Sequence, residues 1–152
     1  MADPTTPGLQ TPADAANVTG NVLEFVFTIP SDADSDNLVF MLELDTNAVI
    51  DSGNADYKSY ESRLSTDQGI HGRWEYYTGS AWVEMPTWGV DLEFYGNNAR
   101  VTIRKEEVTQ GYPTLNTIWY WRVAVGDRVR GVFNDTRFTF NTNLFLSGGD
   151  TF

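Results

Sequence analysis

The chain has 152 residues, of which 21 are acidic and 10 basic, giving a formal charge of -11, and it contains no cysteine. Such a charge repels nucleic acid and anionic membrane surfaces, and the missing cysteines rule out a disulfide framework, a thiolate metal site and a thiol nucleophile. This length suits one domain with a tail, burying roughly 70% of the unfolded chain's surface, and five Trp, seven Tyr and nine Phe favour sheet over helix.

Residues 1–20 hold three of the six prolines and show no apolar periodicity, so they read as an extended N-terminal arm. A polar arm cannot order itself by burying apolar surface, which makes a neighbouring subunit its expected anchor. The N-terminus also lacks a basic segment followed by an apolar one, and no run approaches the roughly 18 apolar residues of a membrane helix. The expectation is a protein without an export signal or a membrane partner.

The domain proper is expected over 21–140. In Asn21–Ile29, Leu23, Phe25, Phe27 and Ile29 share one face of a strand that Pro30 ends. Asn37–Asp45 repeats the alternation with Leu38, Phe40, Leu42 and Leu44, and the two strands are expected to pair as a hairpin. Thr46–Asp56 reads as loop, and the more polar Tyr57–Leu64 as an edge strand whose charges discourage further pairing. Arg73–Tyr77 and Ala81–Met85 flank Thr78-Gly79-Ser80 as a second hairpin, and Val90–Tyr95 and Ala99–Arg104 flank Gly96-Asn97-Asn98 as a third. Lys105–Gln110 is the one helical turn expected.

Thr117–Asp127 is the stretch around which the others are arranged. Trp119, Trp121, Val123 and Val125 point one way, and Ile118, Tyr120, Arg122 and Ala124 the other, as in a central strand. Thr136–Phe140 would close the sheet through Phe133-Asn134-Asp135, leaving 141–152 as a tail whose Leu144, Phe145, Leu146 and Phe152 suggest docking. Short strands separated by turn signals define an all-β, antiparallel β-sandwich; a jelly roll is the other all-β solution.

Candidate sites are few. Asp32, Asp34 and Asp36 with Glu43 follow the spacing of a calcium loop, but Asn37 stands where the glycine belongs and the flanks are strands, so an acidic turn with self-capping aspartates is the competing reading. No other cofactor is suggested. His71, the single histidine, has no companion for a triad or a zinc site. The pairs Glu24 with Glu43 and Glu84 with Glu93 are acid and base candidates by type alone. Without a nucleophile, metal or cofactor motif, no enzymatic activity and no catalytic residue are expected. Trp74, Tyr76, Tyr77, Trp82 and Trp88 could form a sugar-stacking platform, although core or subunit interface is the favoured reading, since large aromatics dominate both.

The run Trp119-Tyr120-Trp121-Arg122-Val123-Ala124-Val125-Gly126-Asp127 resembles the penultimate strand of a fibronectin type III-like or immunoglobulin-like domain. Together with Thr11-Pro12-Ala13-Asp14 and the link Asp32–Phe40, it makes residues 7–140 similar to such modules in bacterial and phage surface proteins. The early strand lacks a Trp, leaving Phe25 or Phe27 to fill the space, and the hairpin Arg73–Met85 enlarges the module. Glu61-Ser62-Arg63 and the stretch Trp74–Pro86 are similar to phage structural proteins. The resemblance implies a non-enzymatic virion protein, a capsid decoration or accessory protein. It would bind the major capsid protein or other virion subunits through arm and tail, as a homo-oligomer on the particle. A glycan- or cell-surface-binding module using the aromatic hairpin, or a tail or fibre adaptor, is the alternative.

Overall fold

The computed structural model describes residues 4–33, 35, 37–64, 69–108, 111–114, 116–127, 131–133 and 138–142. Eleven strands run in chain order: β1 Gly8–Thr11, β2 Ala16–Val18, β3 Val22–Thr28, β4 Val39–Asp45, β5 Lys58–Glu61, β6 Arg73–Tyr77, β7 Trp82–Glu84, β8 Asn98–Arg104, β9 Thr117–Gly126, β10 Gly131–Phe133 and β11 Phe138–Thr142. They form two sheets, one in the order β1-β3-β8-β6-β7 and the other in the order β2-β11-β9-β4-β5, with β10 also on β9. All pairings are antiparallel except β2 with β11. The chain is thus an all-β sandwich.

The inward faces follow the alternation of the sequence. Leu23, Phe25 and Phe27 of β3, Phe40, Leu42 and Leu44 of β4, and Trp119, Trp121, Val123 and Val125 of β9 are all buried between the layers. Rings meet edge to face across the gap, Phe25 with Trp121 and Phe27 with Phe40, each at 5.1 Å between centroids. Phe27 also meets Trp74 at 6.2 Å between ring centroids.

Three expectations need correction. First, β3 and β4 are not a hairpin: β3 pairs with β1 and β8, while β4 pairs with β5 and β9 in the opposite sheet. Each carries a continuous apolar face. Facing each other across the core buries both, and the long link 29–38 lets the chain change layer. Second, Val90–Tyr95 is not a strand. Both edges of β8 are already taken by β3 and β6, so Val90 makes only an isolated bridge to Leu38, and Leu92–Phe94 curls into a 3-10 turn.

Third, residues 8–18 do not stand off as an arm. β1 adds to the edge of β3 in one sheet, and β2 adds in parallel to β11 in the other. The segment therefore staples the two layers together. Its apolar anchors are the prolines: Pro4, Pro7 and Pro12 are buried, and Leu9 packs against the core. Thr5 extends the contact, its backbone N–H donating to the Ser31 carbonyl at 2.9 Å.

The central strand is as expected, with β4 on one edge and both β11 and β10 on the other. The aromatic hairpin is part of the sheet: β6 lies between β8 and β7. Lys105–Glu107 forms a turn, in which the Glu107 and Val108 N–H groups donate to the Arg104 carbonyl. Residues 109–110, the 134–137 link and the tail beyond Thr142 lie outside the described residues.

Candidate functional site

On the outer face of the second sheet, the charged groups bind one another. Glu43 of β4 is buried and lies opposite Arg122 of β9. Arg122 donates through Nε to Glu43 Oε2 at 2.6 Å and through Nη2 to Oε1 at 3.4 Å, and Tyr57 Oη donates to Oε1 at 2.6 Å. Arg122 Nη2 also reaches the Ile50 carbonyl at 3.4 Å. Burial, together with the adjacent Glu43 carboxylate, pushes the Tyr57 phenol above its usual ionisation range.

Asp45, also fully buried, organises the loop 46–57. It accepts hydrogen bonds from the Asn47 N–H at 3.1 Å, the Asp51 N–H at 3.2 Å and Asn54 Nδ2 at 2.8 Å. Both carboxylates serve structure, their oxygens holding the loop onto the sheet.

The outer face of the first sheet is a groove of about 510 Å³. Outward positions of β3, β6, β7 and β8 line it with Arg73, Arg100 and Arg104 against Glu24, Glu75 and Glu84. Strand register sets the pattern in two rows across the strands, Glu24-Thr102-Arg73 and Arg100-Glu75-Glu84. Two clamps fix the walls. Arg73 grips Glu107 through Nε at 3.0 Å and Nη2 at 2.5 Å, and this hydrogen bond holds the Glu107 carboxyl below its usual range. Arg100 Nε donates to Glu75 Oε1 at 2.8 Å, and its guanidinium lies over the Trp82 ring, 4.3 Å from the centroid. Trp82 in turn packs on Tyr77 at 5.4 Å.

A third feature is the turn after β7. The Gly89 N–H donates to the Pro86 carbonyl at 3.1 Å, and Val90 and Leu38 exchange backbone hydrogen bonds of 2.9 and 3.3 Å. Gly89 has φ +108 and packs so closely that a Cβ would sit 2.7 Å from the Leu38 carbonyl oxygen. Only glycine combines that conformation with that approach. The turn carries Trp88, 54% exposed, and Leu92, 53% exposed, follows it in the chain. Asp91 and Glu93 flank Leu92, both exposed.

The residues singled out from sequence are thus dispersed. Asp32 is buried in the turn between the sheets, its carbonyl accepting the Ser35 N–H at 3.1 Å, while Asp34 and Asp36 lie outside the described residues. Glu43, the distal position of the calcium pattern, is committed to Arg122 and Tyr57. Among the described residues, no cluster of three or more His, Asp or Glu could hold a metal ion. His71 contributes its backbone carbonyl, which accepts the Trp74 indole N–H at 2.8 Å. Glu24 and Glu43 occupy the outer faces of opposite sheets and cannot work as a pair. Glu84 borders the groove, and Glu93 lies in the 3-10 turn outside its lining.

The five aromatics do not share one surface either. Trp74 is core, Tyr76 packs on Phe94 at 4.4 Å, Tyr77 and Trp82 flank the groove, and Trp88 stands on its own turn. Sequence reasoning named two of the six charged groove residues, Glu24 and Glu84, but with the wrong partners, and missed Arg73, Glu75, Arg100 and Arg104. Their signal was the polar or charged residue at every second position of Arg73-Trp74-Glu75 and of Arg100–Arg104, on strands whose other face is apolar. No family model, curated protein or solved structure matches the chain.

Proposed function

We propose that the chain is a non-enzymatic structural module of a virus particle, an accessory or decoration protein that seats on the major capsid protein or another virion subunit. The observation that carries this reading is Trp88. A large aromatic half exposed on a turn braced by Gly89 and the Val90–Leu38 bridge loses little freedom on binding, which is the property of an interface anchor. Leu92, close behind in the chain, is a second exposed apolar side chain, and the exposed Asp91 and Glu93 on either side of it suit a basic rim on the partner.

The strand order supports an immunoglobulin-like type. β1-β3-β8-β6 corresponds to A-B-E-D, and β4-β9-β11 to C-F-G, with β7 and β5 added at the edges. The resemblance of Trp119–Asp127 to such modules in phage surface proteins points to the particle, on which the chain would stand in several copies. Because residues 8–18 are used inside the domain, seating falls to the 86–92 turn rather than to an arm. The test is occupancy on purified particles, measured by quantitative mass spectrometry. Trp88→Ser, which removes no core contact, is expected to lower occupancy at least tenfold. Unchanged occupancy would refute this seating, and absence of the wild-type chain from particles would refute the virion reading. A position on tail or fibre would give the same dependence on Trp88 at another location.

A further inference from the structure

We infer that the groove on the outer face of the first sheet is a binding site for a neutral oligosaccharide, separate from the docking role of the 86–92 turn. Its volume, about 510 Å³, lies within the roughly 300–1,000 Å³ typical of ligand sites. The floor is rigid because it consists of four hydrogen-bonded strands, and the Arg73–Glu107 and Arg100–Glu75 pairs fix the walls before any ligand arrives.

What remains unspent defines the ligand. The side chains of Glu24, Glu84 and Arg104 line the groove without a hydrogen bond or close ion pair to the described residues, Glu84 feeling Arg73 and Arg104 feeling Glu107 only through the longer-range field, so acceptors and a donor both face the space. Three guanidiniums balance three carboxylates in the lining, which favours neither an anion nor a cation. In a chain of charge -11, a polyanion is disfavoured further. A ligand that satisfies such a surface must donate and accept at each of several adjacent points, which is what a row of hydroxyl groups does. The ends of the groove are apolar, with half-exposed Val22 in the lining and the Trp82–Tyr77 pair beyond Arg100, surfaces on which the C–H face of a sugar ring packs. Peptides satisfy their amides better along a strand edge than across a strand face.

The experiment uses the full chain, fluorescently labelled, on a printed array of neutral hexose and N-acetylhexosamine oligomers together with sialylated and sulfated glycans. Binding to neutral oligomers is expected. The best-bound oligomer is then titrated by calorimetry, with amide shifts mapping the site. Arg104→Gln and Glu84→Gln should each weaken binding roughly tenfold or more, since each removes charge-assisted hydrogen bonds. Trp88→Ser should leave binding unchanged while lowering particle occupancy, so the two roles fail independently. No bound neutral glycan, capture of anionic glycans alone, or undiminished binding by both groove variants would overturn the inference. So would shifts confined to residues outside β3, β6, β7 and β8.

Discussion

Arg122→Ala isolates the physical logic of the loop that covers the second sheet. The wild-type pair is buried, with side-chain exposures of 18% for Arg122 and 4% for Glu43. Removing the guanidinium leaves the carboxylate in place with the Tyr57 hydroxyl and no countercharge, a situation that costs about 3–5 kcal/mol. That is a large part of a domain's ~5–15 kcal/mol. At this chain length it lowers the thermal midpoint by about 6–20 °C. The triple variant E43L/Y57F/R122M removes charge, countercharge and phenol together, and should recover at least half of the loss, because filling the site with apolar groups avoids a stranded charge. Differential scanning calorimetry measures both, and limited proteolysis of the loop 46–57 reports whether it has lifted. A loss under about 1 kcal/mol for Arg122→Ala, or a triple variant as unstable as the single one, would refute the reasoning.

Alkaline stability provides another check. Burial raises the Tyr57, Tyr60 and Tyr112 phenols above the ordinary tyrosine value of about 10. A folded-state value above the unfolded one means that their stabilisation is complete below about pH 10 and is lost as pH rises through the folded values, at up to ~1.4 kcal/mol per pH unit for each. Absorbance at 295 nm should show these phenols ionising together with unfolding, not before it. Gly89→Ala should cost about 1–3 kcal/mol through its positive φ and the Leu38 carbonyl, while lowering particle occupancy as Trp88→Ser does. Deleting residues 1–18 removes an edge strand from each sheet, so denaturant unfolding should show a loss of ~3 kcal/mol or more, where removal of a free arm would show none.

Much of this fold was legible in the residues, for a definable reason. Period-two alternation names the inward face of each strand without reference to its neighbours, and so Phe25, Phe40, Trp119 and Trp121 were assigned correctly to the core. Alternation does not name the neighbour, however. β3 and β4 were adjacent in sequence with matching patterns, yet they face each other across the core instead of pairing. The strands within residues 4–18 are hard to read because edge strands need few apolar side chains: Leu9 and the buried Pro4, Pro7 and Pro12 suffice when backbone hydrogen bonds supply the rest. The groove was invisible for a similar reason. Glu24, Arg73 and Arg104 are far apart in the chain and converge only through the register of β3, β8 and β6. The exposure of Trp88 was equally hidden, since Gly89 marks a turn but does not reveal which neighbour it packs against.

The most direct measurement is a reconstruction, at a resolution that places side chains, of the virus particle to which the proposal assigns this chain. The expected result is a sandwich seated on a neighbouring virion subunit, with Trp88 in an apolar pocket of that subunit and basic residues facing Asp91 and Glu93. A particle lacking this chain, or one that carries it with the 86–92 turn in open solvent, would contradict the proposal.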